Sequence, residues 1–231
     1  MPTFAALRGN ELRMDPISPV VQQNDVLRVA RKTTACSVLG PGKRAVIWVQ
    51  GCSLGCPGCV APETHSTVGG EIIGVTDLAN ELIALPIDGV TISGGEPMEQ
   101  AAPLNALIDS VRARCDMSFM AYSGYTIEHL QQRGNADQKA MLARLDILVD
   151  GPYVRSRHTR KRWRGSDNQT VHFLSPRHRN LSNTIEDEGD WIDVEVTSSG
   201  TLLWMGIPPP GFREIVEQQM AQRGVALEVI A

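Results

Sequence analysis

From about residue 27 onward, stretches with a strand-like pattern of apolar residues alternate with stretches that have a helix-like pattern. Short runs rich in β-branched residues predict strands, and stretches with apolar residues three or four positions apart predict amphipathic helices. This alternation is typical of βα units and of a parallel sheet. The predicted strands are 45–49, 90–92, 118–122 and 145–149, and the predicted helices are 76–85, one carrying residues 104–115, a short one capped by Thr126, and 136–144.

Polar, glycine-rich segments follow these strands at their C-terminal ends. They are Gly51 to Cys59, Ser93 to Pro97, Ser123 to Tyr125 and Asp150 to Pro152. Because the carboxyl ends of parallel strands meet at one edge of a sheet, the residues that follow them come together there. The pattern therefore predicts a ligand site at this edge.

The apolar pattern divides the chain into three parts. Residues 1–30 show no sustained period and predict an N-terminal arm. Residues 31–180 predict the core domain, and residues 181–231 predict a C-terminal appendage.

Within the appendage, the pattern predicts a β-hairpin and a helix. The β-rich runs 191–196 and 201–205 flank a turn at Ser199–Gly200. Three consecutive prolines then precede an amphipathic stretch that contains Phe212 and Met220.

The composition narrows the class of protein. At 231 residues and 42% hydrophobic content, the chain is long enough for one α/β domain with an appendage. The formal net charge of −4 argues against a protein dominated by nucleic-acid binding. No apolar run approaches the roughly 18 residues that span a bilayer, and the first thirty residues lack the blocks of a signal peptide. We therefore expect a cytoplasmic protein without a membrane partner.

Three of the five cysteines, Cys52, Cys56 and Cys59, crowd into eight positions. This spacing is poor for a disulfide framework but suits metal binding in a reducing compartment. Soft thiolates select zinc, copper(I) or an iron–sulfur cluster. Three ligands on a four-iron cluster leave one iron open to a substrate or cofactor. The alternative is a zinc knot completed by His65 or Cys36.

The Cys-x3-Cys-x2-Cys spacing after one strand, followed by Ser-Gly-Gly-Glu-Pro after the next, resembles the radical S-adenosylmethionine (SAM) superfamily. The sequence is most similar to its glycyl-radical-enzyme activases, which include the activating protein of anaerobic ribonucleotide reductase. The similarity covers about residues 30–175, and the stretches that carry the closer match are Gly40–Arg44, Gly51–Cys59, Ser93–Pro97, Tyr122–Thr126, Leu148–Tyr153 and Arg164–Gln169. Residues 60–63 depart from the activases, which usually have an aromatic residue and an asparagine there.

The resemblance implies an α/β fold, a partial (β/α) barrel with mainly parallel strands, here with a small C-terminal β-hairpin and helix appendage. It implies that the three cysteines hold a 4Fe–4S cluster whose open iron binds SAM, and that SAM cleavage gives a 5′-deoxyadenosyl radical. Two glycines let the backbone approach the methionyl amino group, and an exposed glutamate favours an ammonium. The implied cofactor-binding residues are Gly94, Gly95, Glu96, Pro97, Ser123, Asp150, Arg164 and Asn168.

The implied reaction has two protein partners. A glycyl radical enzyme such as anaerobic ribonucleotide reductase receives the radical, and flavodoxin or ferredoxin donates the electron. The basic run 155–164 could dock an acidic partner, a nucleotide or a phosphate-bearing substrate, or be a solvated loop. Two other functions stay open: a radical SAM tailoring enzyme for a small molecule or peptide, similar to 7-carboxy-7-deazaguanine synthase, and a zinc- or cluster-stabilised binding module.

Overall fold

The computed structural model describes residues 25–189, 192–196 and 202–224. Among them the strands are β1 (Val26–Cys36), β2 (Arg44–Val49), β3 (Glu71–Gly74), β4 (Gly89–Gly94), β5 (Ser118–Ser123), β6 (Ile147–Asp150), β7 (Thr170–Phe173), β8 (Ile192–Val196) and β9 (Leu202–Gly206). The α-helices are α1 (Val75–Ile83), α2 (Ala101–Arg112), α3 (Ile127–Arg133), α4 (Ala136–Arg144) and α5 (Phe212–Ala221). Short 3-10 helices lie at Pro62–Thr64, Pro97–Gln100, Arg155–Arg157 and Pro176–Thr184. No helix in the described ranges is both long and apolar enough to cross a bilayer.

Strands β1 to β7 form one sheet in the order β3-β1-β2-β4-β5-β6-β7. At its centre β2, β4, β5 and β6 are parallel neighbours, whereas β1, β3 and β7 add to the two sides in antiparallel orientation. The predicted α/β fold with a mainly parallel sheet is therefore confirmed. Closure of this sheet into a partial barrel stays a prediction.

The apolar pattern does not predict β1, β3 or β7. β1 places Leu27 and Val29 in the core, but Arg31 follows and the alternation is lost. β3 has only four residues, and Ile72 within it is 51% exposed. Residues 26–30, which the pattern assigned to the arm, lie in β1, while residues 1–24 of that arm lie outside the described ranges.

The central strands β2, β4, β5 and β6 are buried on both faces. On one face, α1, α2, α3 and α4 pack against alternate residues of the central strands, and each contributes buried side chains such as Leu78, Leu104, Leu130 and Met141. Burying one such side chain contributes about 1.5–3 kcal/mol. The opposite face, which we call the inner face, carries the buried residues Val46, Trp48, Met120, Ile147 and Val149. Packing on both faces fixes the positions of the strand ends. It therefore also positions the segments that follow them.

C-terminal segments cover part of the inner face. β8 and β9 pair in antiparallel register, as predicted for the hairpin. Met205 of β9 packs with Trp48, while Leu181 and Ile185 pack against the cluster that contains Trp163. Outside the described residues lie Trp191 and 197–201, which include the predicted turn. The appendage is thus attached to the sheet by apolar contacts.

Candidate functional site

The cysteine loop and the Gly-Gly-Glu-Pro segment follow two neighbouring parallel strands, β2 and β4. The Gly95 N–H donates to the Val49 carbonyl at 2.8 Å, and the Glu96 N–H donates to the Gly51 carbonyl at 2.9 Å. A Cβ at Gly95 would lie 2.1 Å from the Gly51 oxygen, so only glycine permits this approach. These two hydrogen bonds, which we call the clasp, join the two predicted motifs at one edge of the sheet.

Cys52, Cys56 and Cys59 are free and half-buried in the loop that the clasp holds. Gly55 and Gly58 turn the chain between them with φ of +56° and +75°, a conformation that other residues rarely adopt. Burial raises the pKa of the Cys52 and Cys59 thiols. Metal coordination opposes this effect, because a coordinating thiol is deprotonated. Three accessible thiols on one loop are a donor set that fits an iron–sulfur cluster.

A zinc knot would need a fourth side chain beside these thiols. Cys36 pairs in register with Arg44 at the opposite end of β2, so roughly 16 Å of strand separates it from the cysteine loop. His65 is closer, since its carbonyl accepts from the Cys52 N–H at 3.1 Å. In the part of the chain that the structure describes, no three His, Cys, Asp or Glu side chains are placed to hold one metal ion. One zinc needs every ligand within about 2.3 Å, whereas the ligands of a cluster bind different irons. Cys36 is therefore too far away to complete a zinc site at this loop, whereas completion by His65 stays an alternative prediction.

Glu96 is buried, with 1% of its surface exposed, so the expectation of an exposed carboxylate is wrong. Its Oε1 accepts from the Met98 N–H and from Ser123 Oγ, both at 2.9 Å, and its Oε2 accepts from the Gly124 N–H at 2.8 Å. Ser123 Oγ in turn accepts from the Tyr125 N–H at 3.1 Å. Burial raises the pKa of Glu96 to about 7, although its hydrogen bonds act in the opposite direction. The carboxyl group thus ties the ends of β4 and β5 together.

We expect this buried carboxyl group to make stability depend on pH. The pKa of Glu96 is about 7 in the folded chain against 4.5 for an exposed glutamate. The folded state therefore binds more protons between these values, and stability falls as the pH rises through them, by about 3 kcal/mol in total. The free energy of unfolding of Glu96→Gln, from urea titrations at pH 4 to 8, should lack this decline. Glu128→Gln, which removes an exposed carboxylate from α3, should retain it; parallel profiles for wild type and Glu96→Gln would refute the prediction.

Asp150 ends β6 opposite Ser123 in the neighbouring strand. Its Oδ2 accepts from the Ile127 N–H at 2.6 Å, its Oδ1 accepts from the Thr170 N–H at 3.3 Å, and His172 Nε2 lies 3.1 Å from Oδ1. Burial acts to raise the pKa of Asp150, but the contacts with His172 and Ile127 outweigh it and the pKa is lowered. Both carboxylate oxygens therefore bind protein groups, and contact of Asp150 or Ser123 with a cofactor stays a prediction.

Arg164 and Asn168 lie in the loop between β6 and β7. Arg164 is 6% exposed, and its Nη2 donates to the Ile185 carbonyl and to Glu186, both at 2.8 Å. Asn168 Nδ2 donates to the Pro152 carbonyl at 2.8 Å. Arg164 Nε and Asn168 Oδ1 are buried without a hydrogen-bond partner in the described ranges. Since buried polar atoms are normally paired, these two fit a bound cofactor that offers an acceptor and a donor.

Sequence reasoning missed two residues that hold the cysteine loop. Glu99 accepts from the Ser53 N–H at 3.1 Å and also from its hydroxyl. Leu54 packs against Gly124, since a Cβ added to Gly124 would lie only 2.4 Å from Leu54 Cδ1. Both contacts join segments that are far apart in the chain, so no local pattern indicates them.

The basic run 155–164 contacts an acidic segment, residues 184–189, which we call the acidic strap. The main chains are joined, since the Arg162 N–H donates to the Asp187 carbonyl at 3.0 Å and the Gly189 N–H donates to the Arg160 carbonyl at 3.1 Å. At the start of the run, Arg155 packs against Gly58 of the cysteine loop. The ion pairs are Lys161 and Arg164 with Glu186, and Arg160 with Glu188. The run is therefore not simply a solvated loop, because it connects the cysteine loop with the strap.

Known proteins are similar in sequence to the part of the chain that contains this site. Residues 38–172 match the family model of the 4Fe–4S single cluster domain. Over 140 residues, the chain is 34% identical to the anaerobic ribonucleoside-triphosphate reductase-activating protein of Enterobacteria phage T4, a match that covers 58% of this chain and 86% of the phage protein. The proteins of the same name from Vibrio cholerae and Escherichia coli K12 are both 32% identical, covering 58% and 59% of this chain and 90% and 92% of theirs. The chain therefore belongs to the 4Fe–4S single cluster domain family, in the branch of the anaerobic ribonucleoside-triphosphate reductase-activating proteins.

Proposed function

We propose that this chain is a radical SAM enzyme that installs a glycyl radical on a partner enzyme such as anaerobic ribonucleotide reductase. In this proposal Cys52, Cys56 and Cys59 hold a 4Fe–4S cluster, and a core of residues 31–180, curved as a partial barrel, places SAM beside it. The names of the relatives support the choice of partner, because they are activating proteins of an anaerobic ribonucleoside-triphosphate reductase.

The clasp is the observation that carries this proposal. A hydrogen bond of 2.9 Å from the Glu96 N–H to the Gly51 carbonyl sets the residue before Cys52 against the Gly-Gly-Glu-Pro segment. A cofactor that touches both the cluster and this segment requires the two to be this close. At Gly95 there is no room for a Cβ, because the Gly51 oxygen is too close. Two turns without a common ligand would not require so close an approach.

Each group of residues at the site has a task in this proposal. When bound, a 4Fe–4S cluster with one iron free of protein ligands supplies the electron that cleaves SAM into methionine and a 5′-deoxyadenosyl radical. Gly94 and Gly95 expose the main chain to the methionyl amino group. Glu96 holds the ends of β4 and β5 in place. Arg164 Nε and Asn168 Oδ1 offer a donor and an acceptor to the carboxylate and the ribose of SAM.

The proposal also includes an electron donor such as flavodoxin or ferredoxin. Ser53, Pro57 and Gly58 of the cysteine loop are exposed, so a small protein can approach the cluster closely there. We place the reaction in the cytoplasm, since the five cysteines in the described ranges are free and a reduced cluster needs reducing surroundings.

Electron paramagnetic resonance with the candidate partner tests the proposal. The chain is reconstituted anaerobically with iron and sulfide, reduced with dithionite and given SAM. We expect a glycyl-radical signal, together with 5′-deoxyadenosine, only when an anaerobic ribonucleotide reductase is present. The matched control is the same reductase with its radical-bearing glycine replaced by alanine, which should give no glycyl signal.

Other outcomes would assign a different function. A modified small molecule or peptide formed without any reductase would indicate the tailoring enzyme. A colourless chain that retains zinc and is inert to SAM would indicate the binding module.

A further inference from the structure

Arg164 is a buried charge that precedes a loop tied to the edge of the sheet where the candidate site lies. Only 6% of its surface is exposed. In the loop that follows, Gln169 Oε1 accepts from the Gly165 N–H at 2.8 Å, and Gln169 Nε2 donates to the Gly151 carbonyl at 2.9 Å. Gly151 directly follows β6, which is parallel to the strands that carry the clasp. The main chain on the C-terminal side of Arg164 is therefore anchored at the candidate site.

The residue before Arg164 has a strained backbone. Trp163 has a φ of +61°, a value that residues with bulky side chains rarely adopt. Such strain persists only where the surrounding structure holds it, and it is often found at functional sites. Trp163 is buried in the cluster of Met120 and Val149 on the inner face, and Ile185 of the acidic strap packs against this cluster. The sheet and the strap thus fix the direction in which the chain enters Arg164.

The acidic strap also holds the guanidinium itself. Arg164 Nη2 donates to the Ile185 carbonyl and to Glu186 Oε1, both at 2.8 Å. Among the described residues, Glu186 is the carboxylate that pairs with this buried charge. The Glu186 side chain is 58% exposed, and hydrogen bonds from Lys161 and Arg164 lower its pKa, so it is charged at neutral pH. Arg164 Nε is buried without a partner in the described ranges. The strap therefore binds one end of the guanidinium and leaves Nε for another acceptor.

We propose that Glu186 is a positioning residue for SAM that acts through Arg164. Together with the Ile185 carbonyl, it keeps the guanidinium in one orientation, so that Nε is directed at the carboxylate of SAM before SAM binds. Such preorganisation improves affinity because less side-chain freedom is lost on binding. The inference rests on the proposed function, since it takes SAM as the ligand of Nε.

The proposal gives the appendage a part in the cofactor site. The stretch that matches the cluster-domain family ends at residue 172, whereas the strap comprises residues 184–189. Arg164 thus belongs to the matched stretch, and the groups that orient it come from outside that stretch.

The affinity of the unreduced holoprotein for SAM tests this inference. The full chain is reconstituted anaerobically, kept without a reductant so that SAM is not cleaved, and titrated with SAM by isothermal titration calorimetry. Glu186→Gln should raise the dissociation constant about two- to fivefold, the range expected for a partly exposed ion pair. Glu188→Gln is the matched control, because Glu188 lies in the same strap and pairs with Arg160 at 3.0 Å. It removes the same charge and should leave the dissociation constant unchanged.

A double-mutant cycle separates positioning from a general loosening of the strap. Arg164→Met should raise the dissociation constant about ten- to a hundredfold, because it removes a charge-assisted hydrogen bond. In that background, Glu186→Gln should have no further effect. Iron content and circular dichroism show whether each variant keeps its fold. If Arg164→Met does not, Arg164→Lys takes its place in the cycle, since lysine keeps the buried positive charge but lacks the Nε donor.

Three outcomes would overturn the inference: equal affinities of wild type and Glu186→Gln, an equal loss in Glu188→Gln, or a loss from Glu186→Gln that persists in the Arg164 variant. Each of them is measured on a wild type that binds SAM, and so leaves the proposed radical function standing. A wild type that does not bind SAM would instead contradict the proposed function, and the inference with it.

Discussion

Replacing Cys56 by alanine is expected to abolish both cluster retention and SAM cleavage. Cys56 lies between Cys52 and Cys59 in the loop, so its loss leaves two thiols for a cluster that has three protein ligands in the proposed function. Two thiolates do not retain a four-iron cluster against loss of iron to the solvent. Iron and sulfide per chain after anaerobic reconstitution, and 5′-deoxyadenosine formed under dithionite, should both fall to the level of a sample without protein.

Cys115→Ala is the matched control for this experiment. Cys115 is also a free cysteine, but it packs at the edge of the main core, and its Sγ lies 3.5 Å from the Val111 carbonyl. Its removal should leave iron content and 5′-deoxyadenosine formation at the wild-type level. A Cys56→Ala chain with a full iron complement and undiminished SAM cleavage would show that the cysteine loop does not hold the cluster.

Replacing Arg44 by methionine is expected to lower the free energy of unfolding by about 3 kcal/mol. Arg44 is fully buried, and burial lowers the pKa of its guanidinium to about 10, which still leaves it charged at neutral pH. Its guanidinium donates to Thr91 Oγ1 at 2.7 Å, to the Val90 carbonyl at 2.7 Å and to Ser118 Oγ at 2.8 Å, so one side chain joins β2, β4 and β5. Methionine fills much of the space but leaves these acceptors unpaired, at about 1–3 kcal/mol each. Removal of a buried charge offsets part of that loss.

Urea titrations followed by circular dichroism, on chains with the same iron content, measure the change. Lys43→Ala is the control, because Lys43 is exposed and its hydrogen bonds with Asp88 come from the main chain. It should change the free energy of unfolding by no more than about 0.5 kcal/mol. If Arg44→Met is as mild as Lys43→Ala, the guanidinium is not what joins the three strands.

Local patterns predicted the central sheet well, for a physical reason. β2, β4, β5 and β6 are buried on both faces and therefore stand out as apolar runs, each followed by glycine and polar residues. β1 and β3 lie at the side of the sheet, where β1 carries charged residues and β3 is short and exposed. Such strands are recognised only through the neighbours with which they pair.

Only the tertiary structure decided which groups the predicted site residues contact. The environment of Glu96 depends on Ser123, which lies 27 residues away, and Asp150 depends on Ile127 and Thr170 at the ends of other segments. Hydrogen bonds over such separations follow from strand register and leave no local pattern. A motif therefore indicates that a glutamate follows a strand, but not that its carboxyl group is buried.

By itself, the amino-acid sequence determined the three-cysteine loop, its place after a strand, and the neighbouring glycine-rich segment, because residue spacing and strand order are local properties. Only the tertiary structure decided that the acidic strap pairs with the basic run and that the appendage packs on the inner face. These contacts come from opposite charges and apolar surfaces that are remote in the chain and become neighbours only when the sheet has formed.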